Sequence, residues 1–144
     1  MTFTVAAIVL EPQAVLDRFV RWYLRQGAVR VVLYFDDPAD PAMAAFAAMP
    51  GVAAIACTSA FWQGLGIAAD ARFTRRQNTV LTHAYHQLGE GWLLNVDADE
   101  LMYFAGRSIA EALAGLPAGV PTLRVATAEQ VIAPEAGEIF RLPL

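Results

Sequence analysis

Three apolar runs, Phe3–Leu10, Ala28–Phe35 and Trp92–Val96, each end in carboxylates: Glu11, then Asp36 and Asp37, then Asp97, Asp99 and Glu100. A short run with no polar alternation is the pattern of a strand buried on both faces of an α/β sheet. Charge cannot follow such a strand into a core, because desolvating an unpaired carboxylate is too costly. The acids therefore belong just outside the carboxyl edge of a sheet, where open α/β sheets bind their ligands.

The segments between these runs read as helices. Pro12 suits a first helical turn, and Val15, Leu16, Phe19, Val20 and Tyr23 repeat at helical spacing up to Gly27. Ala42 to Met49 reads as a short Ala-rich helix, Pro50-Gly51 as a turn and Val52 to Cys57 as a further strand. Thr58 to Ala69 reads as an irregular loop in which Phe61-Trp62 either packs under the loop or forms a lid. Asp70 is the expected cap of the next helix, with Phe73, Val80, Leu81, Ala84, Tyr85 and Leu88 as its apolar face. Trp92 to Val96 is then the central strand. Ser108 is placed to cap a helix through Leu113, and Leu123 to Ala126 reads as another strand. Strands separated by helices pair in parallel through right-handed crossovers. The expected architecture is one domain over residues 1–144: a mostly parallel, Rossmann-like sheet with helices on both faces.

Composition narrows the functional classes. Net charge is −4, which gives no electrostatic support for a nucleic-acid partner. The single cysteine, Cys57, excludes an internal disulfide or a cysteine zinc cage and fits a reducing cytoplasm. Pro41 to Ala69 carries no charge and is long enough to span a bilayer, but Pro50-Gly51 and Thr58, Ser59 and Gln63 interrupt it. No transmembrane segment is expected, and the cytoplasm or the inner membrane surface is the expected location.

The acids after the last run are the candidate site. In extended backbone, residues two apart point the same way, roughly 6.5 Å apart. Asp97 and Asp99 would then converge on one hard cation able to hold a diphosphate, with the small Ala98 leaving room between them. An acid after the second strand, here Asp36, is where nucleotide-binding sheets contact ribose or base. Neither G-x-G-x-x-G nor G-x-x-x-x-G-K-[ST] occurs, so any phosphate must be held by metal and arginine. Arg72, Arg75 and Arg76 are the available cations, Arg72 reading better as a solvated one. His83 and His86 read as surface histidines and Cys57 as a small core residue.

Four segments in order, Phe19-Val20-Arg21-Trp22-Tyr23 with Gly27-Ala28, Tyr34-Phe35-Asp36-Asp37-Pro38, Arg76-Gln77-Asn78, and Trp92 to Glu100, resemble the glycosyltransferase family 2-like proteins with a D-x-D-E signature, which are related to the family 92 glycosyltransferases. The similarity covers roughly residues 5 to 130. It implies a GT-A fold, a nucleoside-diphosphate sugar donor, an acceptor that is a glycan, lipid or small molecule, and a divalent cation, Mn2+ or Mg2+. Carried over by position, Asp97 and Asp99 are the metal acids, with Asp97 also on the donor phosphates. Asp36 is the base or ribose contact, and Glu11, Arg76 and Gln77 are donor-side residues. Members of the family often carry Asn-Glu after the first strand, where this chain has Leu10-Glu11.

The family's catalytic base and acceptor site normally lie in a further C-terminal portion. Between Leu101 and Leu144, the acids Glu111, Glu129, Glu135 and Glu138 carry no motif, and the apolar ending Ile139 to Leu144 suits a partner or a further segment that covers it. Two expectations follow: a donor-binding transferase domain, or a truncated or degenerate relative that only binds nucleotide sugar or assembles with another protein. Phosphoryl transfer with Asp97 as nucleophile is a weaker third, since it needs a lysine and the chain has none.

Overall fold

In the computed structural model, which describes residues 1–131 and 139–142, four parallel strands form one sheet in the order β3-β2-β1-β4. The strands are β1 (Phe3–Val9), β2 (Arg30–Phe35), β3 (Val52–Ala56) and β4 (Trp92–Asn95). β1 is wholly buried and pairs with β2 along Thr4–Val9 and with β4 along Phe3–Ala6. The helices are α1 (Gln13–Arg25), α2 (Met43–Ala47), α3 (Ser59–Gly64), α4 (Phe73–Gln87) and α5 (Ile109–Ala114).

The strand alternation sorts the helices into two layers. Phe3, Val5, Ala7 and Val9 face a core with Leu16, Phe19, Val20 and Tyr23 of α1, Phe46 of α2, and Ile109 and Leu113 of α5. Ala6 and Ile8 face the other core, with Trp62 of α3 and Val80 and Ala84 of α4. The expected α/β sheet with helices on both faces is therefore present. Its order reverses between β1 and β4, since β1 leads outward to β2 and β3 and the chain then returns through α4 to β1's other side. Such a reversal opens a crevice at the strands' carboxyl ends.

Several elements differ from expectation. Trp92 begins an edge strand, half-buried and not central, because among the described residues no strand pairs beyond it. Residues 59–64 are helical, not irregular: the Thr58 hydroxyl accepts from the Phe61 amide at 3.1 Å and caps α3, seating Trp62 in the core at 1% exposure. Phe61-Trp62 therefore packs inward instead of forming a lid. The cap position of α4 is Arg72, not Asp70, and Phe73 and Tyr85 of its expected apolar face are exposed. The half-buried positions they leave are polar, Arg76, Gln77 and His83. Residues 123–126 form no strand; Glu129–Val131 (β5) and Ile139–Arg141 (β6) make a separate antiparallel pair, tied by an Arg141–Glu129 ion pair. Ser108 caps α5 as expected, with Glu111 closing a reciprocal capping box whose hydrogen bonds hold the Glu111 carboxyl below its ordinary range. Among the described residues, no helix is long and apolar enough to cross a membrane.

Candidate functional site

The carboxyl edge of the sheet collects the predicted acids, and α4 connects them. α4 runs antiparallel to the strands, so its first turns lie over their carboxyl ends. Two consecutive residues there reach opposite ways. Arg76 forms an ion pair with Asp36, which follows β2, and Gln77 Nε2 donates to Asp97 Oδ1 at 2.8 Å, beyond β4. Four of the six predicted site residues are thereby joined across β1.

Asp97 and Asp99 do not lie on extended backbone. The amide of Glu100 donates to the carbonyl of Asp97 at 3.0 Å, and the Glu100 carboxylate accepts from the Asp97 amide at 3.0 Å, closing a turn over 97–100. The two-residue alternation of a strand therefore does not apply, and Ala98 leaves no room for a ligand: it is 1% exposed and packs into the α1-side core. Its burial turns the two flanking aspartates outward, where both are exposed.

The turn is fastened from the α1 layer by two aromatic side chains. The Tyr23 hydroxyl donates to the Glu100 carbonyl at 3.0 Å and accepts from the Met102 amide at 3.0 Å, while Trp22 Nε1 donates to the Met102 carbonyl at 3.0 Å. Burial pushes the Tyr23 hydroxyl up to about 12. Helical periodicity placed Tyr23 in the core but could not show where its hydroxyl goes. Tyr23→Phe should cost roughly 1–3 kcal/mol, because the buried Met102 amide loses its acceptor. Urea denaturation is the check, and unchanged stability would show that the hydroxyl holds nothing.

The Asp36–Arg76 pair is sheltered, with the arginine side chain 19% and the aspartate side chain 10% exposed. The guanidinium also lies over the rings of Trp62 at 5.9 Å and Phe73 at 5.8 Å, within cation–π range. Its Nε is buried without a partner among the described residues. Asp36 is thus spent largely on Arg76. Arg72 and Arg75 are exposed, and Glu11 accepts from the Leu10 amide at 2.8 Å, capping its own loop beyond β1. Cys57 is buried beside this pair; burial first, then the charge of Asp36, pushes its thiol up to about 12, so it is no nucleophile at neutral pH. His83, expected at the surface, is half-buried with its Nδ1 2.8 Å from the Tyr34 hydroxyl, and His86 is exposed as expected.

Among the described residues, no group of three or more His, Cys, Asp and Glu side chains is arranged to hold a metal ion, so Asp97 and Asp99 would have to share a cation with ligands from outside the chain. A pair suits a cation whose remaining ligands are water and phosphate oxygens, as Mg2+ commonly is. The Gln77 bond also engages one Asp97 oxygen, as outer partners of ligating carboxylates do. A cavity of about 540 Å³ lies elsewhere, between α4 and β2, and reaches the amino-terminal sheet edge at Thr2, Arg30 and Glu90. It holds none of the predicted site residues, which lie instead at the carboxyl edge, where sheets with a reversal in strand order bind their ligands. No family model matches the chain, and no curated protein or solved structure matches it.

Proposed function

We propose that this domain binds a nucleoside-diphosphate sugar through a divalent cation, Mn2+ or Mg2+, held by Asp97 and Asp99, as the donor half of a GT-A, family 2-like glycosyltransferase. The observation that carries the reading is the placement of the 97–100 turn: beside β1, at the reversal in strand order, with Asp97 oriented by Gln77. When bound, the cation would neutralise charge on the leaving diphosphate. The chain's own part is positional. Tyr23 and buried Ala98 hold the turn from one layer, and Gln77 holds Asp97 from the other.

Binding without transfer is the second reading. Transfer needs a base within reach of an acceptor hydroxyl. After Glu100, Glu111 is committed to the α5 cap and Glu129 to Arg141, while Glu135 and Glu138 lie outside the described residues.

Calorimetry tests the shared premise. Uridine diphosphate should bind in the presence of manganese and far more weakly in excess chelator, and Asp97→Ala should remove the metal-dependent part. Equal binding with and without metal would take the cation out of the account. Sugar transfer by the purified 144-residue chain, assayed with simple glycan and lipid acceptors, would decide for the first reading over the second.

A further inference from the structure

Three groups are stacked at the start of α4. Trp62 lies innermost at 1% exposure, the Arg76 guanidinium lies over its ring, and the ring of Phe73 also lies within cation–π distance of that guanidinium. Phe73 is 49% exposed, although it occupies a position that helical spacing assigns to the core. The ring lies against a cation that is itself paired with Asp36, and about half of its surface remains open. An exposed aromatic side chain fixed in orientation is a platform for another flat ring, because stacking needs a preset face more than a hydrogen-bond pattern.

Its position along the helix matters as much. Phe73 and Gln77 are four residues apart and therefore share one face of α4, roughly 5–6 Å apart at Cβ. Gln77 is the residue that bonds Asp97. The open ring thus lies one helical turn from the residue that bonds Asp97, on the same face of α4. Asp36, the sequence's candidate for ribose or base contact, is paired with Arg76.

We propose that Phe73 is the stacking platform for the heteroaromatic base of the bound nucleotide. This rests on the reading of Asp97 and Asp99 as the diphosphate site. Because every nucleobase has a flat face, the platform tolerates purines and pyrimidines alike and contributes affinity without selecting one base.

The test separates the base from the phosphates. Inorganic pyrophosphate, uridine diphosphate and guanosine diphosphate are titrated with manganese into the wild-type chain, Phe73→Ala, Phe73→Leu and Phe73→Trp, with circular dichroism confirming the fold of each. Both nucleotides should bind the wild type more tightly than pyrophosphate. Phe73→Ala and Phe73→Leu should each weaken nucleotide binding about ten-fold and leave pyrophosphate unchanged, while Phe73→Trp restores it. Leucine still covers Arg76 but has no flat face, so full rescue by leucine would show a merely structural role and overturn the proposal. Equal affinity of the wild type for pyrophosphate and both nucleotides would overturn it as well. Failure of pyrophosphate itself to bind with manganese would instead strike at the carboxylate site, and the platform would fall with it.

Discussion

Replacing Asp36 by alanine is expected to lower the melting temperature by roughly 10 °C, following from about 3 kcal/mol of lost stability in a domain of this size. The sequence invites the opposite expectation, since an acid at a strand end contributes little packing and should be dispensable. Asp36 is instead the counter-ion of Arg76, a guanidinium held between Trp62 and Phe73 with its Nε already lacking a partner among the described residues. Removing the carboxylate leaves that charge sheltered from water and unpaired, which costs far more than the pair itself contributes. The loss sits toward the lower end of the usual range because the arginine side chain keeps 19% of its exposure. Asp36→Leu combined with Arg76→Met should recover most of the stability, because apolar groups of similar volume can replace a buried ion pair. Thermal denaturation followed by circular dichroism reads both variants. A shift below about 2 °C for Asp36→Ala would mean that the guanidinium finds water instead.

Gly91→Ala should be comparably damaging. Gly91 has φ +97°, where an L side chain is strained by roughly 1–2 kcal/mol. An added Cβ would also lie 2.6 Å from the carbonyl oxygen of Thr2, the same oxygen that accepts from the Trp92 amide at 2.9 Å. Backbone cannot swing aside as a side chain can, so about 1–3 kcal/mol of overpacking adds to the strain. The damage should also reach the candidate site, because β4 is only four residues long and carries the 97–100 turn at its far end. Gly89→Ala is the matched control: its φ is +70°, but a Cβ there meets nothing within 4 Å. Chemical denaturation should show a loss about 1–3 kcal/mol larger at position 91 than at 89; equal losses would reduce the effect to backbone strain.

Much of the fold was legible before any coordinates. The positions of the four parallel strands, their sheet and the collection of acids at one edge follow from local properties: a residue's hydrophobicity, its spacing from the next, and the cost of burying charge. Glu11, Asp36 and Asp97 could be placed at strand ends because a run of apolar residues stops where the core stops. Ser108 could be placed as a cap for the same local reason, since its hydroxyl serves a backbone amide only three residues away. The resemblance to family 2-like glycosyltransferases belongs to the same level, and what it implies about donor and metal is a proposal carried by Asp97 and Asp99.

What the sequence left open depends on contacts between residues far apart in the chain. β4 reads as a central strand because its residues are apolar, but edge or centre is decided by how many strands pair, which no single segment encodes. Ala98 looks like space for a ligand until Met102 and the α1 layer close over it. Arg76 and Asp36 are 40 positions apart, and Gln77 and Asp97 are 20 apart. Only the antiparallel course of α4 across the carboxyl edge brings both pairs into contact. The same placement turns a strand-end acid into the counter-ion of a sheltered arginine and leaves Phe73 standing outside the core. Hydrophobicity and spacing determined which residues reach the carboxyl edge of the sheet. The crossing of α4 over that edge decided which of them hold one another and which stay exposed.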